Sequence, residues 1–294
     1  MLGLLNLHKP AGCTSRDVVN RVQKLVRPEK VGHAGTLDPL ATGVLVVAVG
    51  GATRLVEYVQ QQPKSYVGTF LLGRSSDTED IEGRVEELAH PPLPRLDEIT
   101  AALPQFTGTI DQIPPAFSAL KVAGQRAYAM ARRGEEVQLA ARKIVIHELR
   151  VLDYDYPLLR LELVCSSGTY VRSLGRDLAR SLGTAAVMSG LVRTAIGPFQ
   201  LATAVEPDSL TRESLVESLL PARAAVNHLP TLMLDHGEVT ELLHGRPIRR
   251  PIQDTAEVSR VPLEFAALDP HGELVAILTP RDERLWPTRV FVSQ

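Results

Sequence analysis

Gly32-His33-Ala34-Gly35-Thr36-Leu37-Asp38-Pro39-Leu40-Ala41-Thr42-Gly43 runs directly into Val44-Leu45-Val46-Val47-Ala48-Val49. The second stretch is a short apolar run, far below the roughly 20 residues that cross a bilayer and of the right length for a buried strand. The first is a glycine-rich loop that feeds this strand. It matches neither G-x-G-x-x-G nor G-x-x-x-x-G-K-[ST], and its glycines do not open a helix behind a strand. A doubly wound dinucleotide-binding fold therefore loses its best signature, and the elements around the loop have to decide the class.

Upstream, residues 2–7 read as a strand, and Thr14-Ser15-Arg16-Asp17 forms a capping box that opens a helix with Val18, Val19, Val22, Leu25 and Val26 on its apolar face. Pro28 ends that helix. Downstream, a helix is expected near 53–59, a strand over 65–72 and a short helix over 96–103. Pro114-Pro115 imposes an extended approach to 117–121. A helix over 125–133 and strands over 143–153 and 158–165 follow. From Gly168 the spacing of Val171, Leu174, Leu178 and Leu182 predicts a helix whose other face carries Arg172, Arg176 and Arg180, the last two expected on a solvated face. Strands dominate the middle of the chain, so the class is α+β. After 221–230 the texture changes to short β-like runs at 231–234, 265–268, 274–278 and 289–292. This predicts a body over 1–226 and a small β barrel over 227–294.

The chain has 294 residues, enough for about two domains with their own cores. Hydrophobic residues at 44% and charged residues at 22% exclude disordered and low-complexity classes. Two distant cysteines, Cys13 and Cys165, argue against a disulfide framework or a cysteine zinc site. No basic segment precedes the first apolar stretch, which points to a cytoplasmic location. The net charge of −2 hides segregation: over 77–98 eight acidic residues face two basic ones, and over 121–150 seven basic residues face three acidic ones. The basic stretch is a candidate polyanion-facing segment, and arginine outnumbers lysine 26 to 6.

Asp38 precedes Pro39 and by that alone could simply start a turn. An aspartate has an ordinary pKa of about 3.9, so at neutral pH it can attack or take a proton without an activating histidine. In a closed site it would need a cation, and the helix of Arg172 offers a bidentate donor. His33 has no companion residues at metal-ligand spacing, and no G-x-S-x-G elbow is present, so metal and serine-hydrolase chemistry are both disfavoured.

Several segments together resemble, in order and spacing, the TruB-type tRNA pseudouridine synthases. They are residues 7–15, the 32–43 loop, Lys64-Ser65-Tyr66, Asp77-Thr78-Glu79-Asp80, the 114–121 segment, Ser167-Gly168-Thr169-Tyr170-Val171-Arg172, and Leu191-Val192-Arg193 near Gly197-Pro198-Phe199. The resemblance implies a pseudouridine synthase fold, a central mixed and mostly antiparallel sheet flanked by helices. It also implies isomerisation of uridine 55 in the T loop of tRNA, without cofactor or metal. By position, Asp38 matches the catalytic aspartate, attacking either uracil or ribose. Tyr66 matches the tyrosine packed on the base, a candidate for proton transfer, and Arg172 matches the arginine paired with the aspartate. Tyr170 and Leu191 match residues lining the uridine pocket, His33 the side chain that fills the T loop, and Lys9 a motif that supports the active-site loop and borders the substrate. The tail resembles a PUA RNA-binding domain through 243–248 and 286–291, and Arg246, Arg249 and Arg250 would meet phosphate of the acceptor stem. A flipped uridine needs a pocket of this residue chemistry. The expected partner is tRNA alone, with no membrane, no obligate protein partner and a monomeric chain. The alternatives are a guide-RNA-dependent H/ACA synthase subunit, whose family usually carries additional terminal segments, and a non-catalytic tRNA-folding protein.

Overall fold

The computed structural model describes residues 1–118, 120–122, 125–133, 135, 139–250 and 264–291. Its elements, in chain order, are β1 (Leu2–Lys9), α1 (Ser15–Val26), β2 (Val31–His33), β3 (Thr42–Gly50), α2 (Val56–Gln61), β4 (Lys64–Leu72), β5 (Arg74–Ser76), β6 (Val85–Glu87), α3 (Leu96–Ala102) and β7 (Gly108–Gln112). Then come β8 (Lys121–Val122), β9 (Gln125–Arg126), α4 (Ala127–Arg132), β10 (Arg142–Asp155), β11 (Leu158–Cys165), α5 (Val171–Ser181), β12 (Ala186–Ile196), β13 (Phe199–Gln200) and α6 (Arg212–Glu217). The tail holds β14 (Thr231–Met233), α7 (His236–Leu243), β15 (Phe265–Leu268), β16 (Leu274–Arg281) and β17 (Arg284–Val290).

The class is α+β. A nine-stranded sheet runs β1-β3-β12-β4-β11-β10-β7, with β2 and β13 attached at β3 and β12. The β3–β12 contact is parallel, whereas the other ladders of this sheet are antiparallel. The apolar run of β3 is buried from Gly43 to Gly50 because both of its faces are covered. Leu45, Val47 and Val49 join the cluster containing Val18, Val19 and Val22 of α1, while Val44, Val46 and Ala48 belong to a cluster on the opposite face. The capping box at Thr14 is present, with Asp17 N donating to Thr14 Oγ1 and Thr14 N to Asp17 Oδ2.

The tail forms a four-stranded sheet ordered β14-β15-β16-β17. The position 226/227 interrupts the strand texture but not the core. The cluster with Val44, Val46 and Ala48 continues through Ala222 and Val226 into Ala266, Leu268, Ile277 and Phe291. Polar contacts follow the same seam, with Arg54 Nη1 donating to Val290 O at 2.8 Å and Arg289 bonding Tyr58 and Glu57. The 253–262 stretch lies outside the described residues. Among the described residues no helix is long and apolar enough to cross a membrane.

Three expectations need correction. The helix placed over 125–133 starts only at Ala127, because Gln125–Arg126 forms a two-residue ladder with Lys121–Val122. The helix placed from Gly168 starts at Val171, because Gly168 sits at φ 86 in a turn. The helix near 53–59 is split into a 3-10 turn over Gly51–Leu55 followed by α2.

Candidate active site

Parallel pairing of β3 with β12 puts Gly43 opposite Arg193, and antiparallel pairing of β12 with β4 puts Arg193 opposite Tyr66. These adjacent rungs bring the loop before β3, which carries Asp38, to the side chains of β4 and β12. Above them lies α5. Gly175 permits its close approach, since a Cβ there would fall 2.1 Å from the Phe70 ring of β4. Arg172, one turn earlier on α5, reaches the Asp38 loop as a result.

Asp38 lies at the wall of a cavity of about 1010 Å³ that is lined also by Tyr66, Tyr170, Arg172 and Leu191. That volume accommodates a flipped nucleotide with part of its neighbours, at the upper end of the ~300–1,000 Å³ usual for small-molecule pockets. Arg172, only 8% exposed, places Nη2 3.2 Å from Asp38 Oδ2 and Nη1 3.4 Å from Asp80 Oδ2. The same guanidinium donates to Thr78 O at 2.8 Å and to Phe117 O at 3.1 Å. Its position is thus determined by four oxygens from three separate loops, which is how the planar donor set of arginine earns rigidity.

Asp80 was not singled out as a site residue, yet its side chain is nearly fully buried and accepts from Thr78 Oγ1 and Glu82 N. Its loop is fastened to β12, where Met188 N donates to Glu79 O and Ile81 N to Met188 O. Glu79, at φ 64, accepts from Ser173 Oγ of α5 at 2.9 Å and pairs with Arg176. The expectation of a solvated Arg176 is therefore overturned. Its guanidinium is covered by the acidic loop and also pairs with Asp177, whereas Arg180 is exposed. Glu82, on the same wall, is pushed above the usual carboxylate range by burial and by the Asp80 and Asp38 carboxylates.

Tyr66 is buried, and burial raises its phenol above the ordinary value while the Arg193 guanidinium opposes this. Arg193, 1% exposed, donates from Nε to Val44 O at 2.7 Å and from Nη2 to Gly35 O at 3.1 Å, tying β12 to both ends of the Asp38 loop. Lys64 is sealed by Gln60 O and Gln62 O, and burial lowers it to about 8.

Lys9 corrects a further expectation. It is fully buried and does not line the cavity, because Nζ donates to Pro10 O, Pro39 O and Ala41 O at 2.9, 3.3 and 2.7 Å. It therefore holds the Asp38 loop from below and does not face substrate. Burial pushes it under the normal lysine value. His33 ends β2, half-buried and outside the cavity lining, and burial lowers its pKa. In the basic 121–150 segment, Arg133, Lys143 and Arg150 pair with Glu135, Asp111 and Glu162. The side chains of Lys121, Arg126 and Arg132 lie outside the described residues. In the tail, Arg246 pairs with Glu241 and Arg250 with Glu238, while Arg249 is exposed.

A nucleotide-sized cavity with an aspartate held by a buried arginine, on this mixed sheet, defines the pseudouridylate synthase class, and comparison with known proteins agrees. Residues 23–171 match the N-terminal domain of the TruB family pseudouridylate synthases, and residues 229–292 match the C-terminal part of tRNA pseudouridine synthase II. The chain belongs to the TruB family. A relative from Dehalococcoides mccartyi, described as tRNA pseudouridine synthase B, is 40% identical over 298 residues, covering 100% of this chain and 97% of its own. One from Thermobifida fusca with the same description is 45% identical over 301 residues, covering 99% of both chains. Among solved structures, a chain of a Cbf5-Nop10-Gar1 complex aligns with a TM-score of 0.74 at 26% identity, over 99% of this chain and 85% of that one.

Proposed function

We propose that this protein converts uridine 55 in the T loop of tRNA to pseudouridine, with Asp38 as nucleophile, acting in the cytoplasm as a monomer without an obligate protein partner. The observation that carries the reading is the Asp38–Arg172 pair on the wall of a cavity whose other residues include Tyr66, Tyr170 and Leu191. The relatives' description as tRNA pseudouridine synthases supports the choice of RNA.

The reaction exchanges one glycosidic bond for another. The C1′–N1 bond breaks, the uracil turns in place, C1′–C5 forms, the proton on C5 passes to a base, and N1 takes up a proton. Attack by the carboxylate on uracil C6 or on ribose C1′ gives the same balance. A stacked base exposes neither centre, so the nucleotide must be flipped, at a cost of a few kcal/mol. Arg172 supplies charge to the carboxylate, and its ties to Thr78 O, Phe117 O and Asp80 keep it from following the base as it turns. Tyr66 and Leu191 supply the apolar walls against which a detached uracil stays in place. Tyr66 enters the reaction as a neutral phenol, beside Arg193, and is the candidate for proton transfer: once it has given its own proton to N1, the phenolate can take the one that leaves C5.

An unmodified tRNA transcript incubated with the protein alone tests this. Pseudouridine should form at position 55 without a guide RNA, and a transcript with cytidine at 55 should gain none. A requirement for guide RNA would instead favour the H/ACA reading, since another solved structure of 26% identity is described as an H/ACA RNP bound to a substrate RNA. Tight tRNA binding without product would favour the tRNA-folding reading.

A further inference from the structure

Arg142, from the basic segment of the sequence, opens β10 and lines the same cavity. Its guanidinium lies over the Tyr170 ring, 4.6 Å from the centroid. Its Nε is buried without a hydrogen-bond partner, and among the described residues no carboxylate pairs with it. The other buried basic residues of the cavity wall are committed. Arg172 is held by Asp38 and Asp80, Arg193 by Val44 O and Gly35 O, and Lys64 by Gln60 O and Gln62 O, whereas Arg84 is 86% exposed and pairs with Glu86 in solvent.

The surroundings of Arg142 are built to keep it there. Gln112, buried on β7 and paired in register with Arg142, donates from Nε2 to Tyr170 O at 3.0 Å and accepts from Tyr170 N at 2.8 Å. This fixes the ring on which the guanidinium rests. Next to it, Ser167, Gly168 and Thr169 line the cavity, and among the described residues their backbone N–H groups donate no hydrogen bond. Gly168, at φ 86, keeps the turn bare, and a Cβ there would meet Arg142 Nη2 at 3.5 Å. An uncommitted guanidinium beside free amides is an arrangement that takes an anion.

The acidic lining residues disfavour one. Asp38, Asp77, Asp80 and Glu82 all line the cavity, so a negatively charged group is repelled from their neighbourhood. A ribonucleotide in RNA carries its charge on the phosphodiester, so the base goes toward Asp38 and the phosphate toward Arg142. Accepting the pseudouridine synthase reading proposed above, we propose that Arg142, stacked on Tyr170, binds a backbone phosphodiester flanking the flipped nucleotide and thereby sets how deep the base enters.

The test uses the full-length protein and a T-arm minihelix in which one flanking phosphodiester is replaced by a neutral methylphosphonate. Removing the charge from the contacted phosphate should weaken binding by the wild type about tenfold, and it should cost an Arg142→Gln variant nothing further. Each phosphate contact contributes about 0.7–0.9 to the slope of log affinity against log salt, so Arg142→Gln should lower that slope by this amount. Arg142→Lys, which keeps the charge and loses the stack, should retain the slope while kcat falls. Equal methylphosphonate penalties in wild type and Arg142→Gln, or an unchanged salt slope, would overturn the assignment. Wild-type protein that makes no pseudouridine in the unsubstituted minihelix would instead sink the underlying functional reading.

Discussion

Arg172 stands between two carboxylates, with Nη2 3.2 Å from Asp38 and Nη1 3.4 Å from Asp80. The two are not equivalent. The Asp38 side chain is 36% exposed, open to a substrate, whereas that of Asp80 is 4% exposed and closed in. The buried pair orients the guanidinium, and the open pair presents a carboxylate to the cavity.

This asymmetry predicts separate losses for one substitution. Arg172→Met leaves the buried Asp80 charge without its partner, a change that costs about 3–5 kcal/mol in stability and is read as a lowered denaturation midpoint. Arg172→Lys restores charge but not the planar donor set, so it should recover most of the stability and little of kcat. Equal stability of wild type and Arg172→Met would show that Asp80 is not held by this residue.

Lys9→Met separates loop support from RNA contact. Without Nζ, Ala41 O loses its donor beneath the Asp38 loop, while Pro39 O keeps Gly12 N and Pro10 O keeps Cys13 Sγ. An orphaned buried group costs about 1–3 kcal/mol. The expected outcome is a lower kcat with tRNA affinity within about twofold of wild type. Affinity that falls while kcat holds would place Lys9 on the RNA.

Gly175→Ala drives a methyl group into the Phe70 ring. Overpacking of this kind costs about 1–3 kcal/mol and lifts α5 from β4. Because Arg172 rides on the same helix, kcat should drop by tenfold or more even where the variant stays folded by circular dichroism. Unchanged kcat in a destabilised variant would uncouple the helix seat from the site.

Lys64 gives a pH signature. Burial lowers its folded-state value to about 8 from the ordinary 10.5, so between these values the unfolded chain binds more protons than the folded one. Stability from this group therefore rises with pH across roughly 8 to 10.5 and is lowest below it. The stability difference between wild type and Lys64→Met should shift in favour of the wild type over that window in denaturant titrations. A difference that stays flat there would contradict the lowered value.

What the sequence disclosed of the site follows the range of the interactions. The Asp38 loop, the β3 run and the α5 periodicity are local patterns, and all three lie close to where they were expected. Strand β12 was not anticipated, because Ser189-Gly190 interrupts its apolar alternation at a bulge between Met188 and Gly190. With it went the role of Arg193, whose burial depends on strands far apart in the chain. Arg176 read as solvated because the i, i+4 spacing shows which residues share a face but not that the 77–82 loop folds over that face. The shared core of body and tail is hidden for the same reason, since Val46 and Phe291 meet in one cluster across most of the chain length.

The most direct test of the account compares wild type with Asp38→Asn, measuring tritium released from 5-tritiated uridine in an unmodified tRNA transcript under single-turnover conditions, with tRNA binding measured in parallel. Removing the nucleophile should lower the rate by at least about a thousandfold with binding retained. Tritium release by Asp38→Asn at the wild-type rate would contradict it.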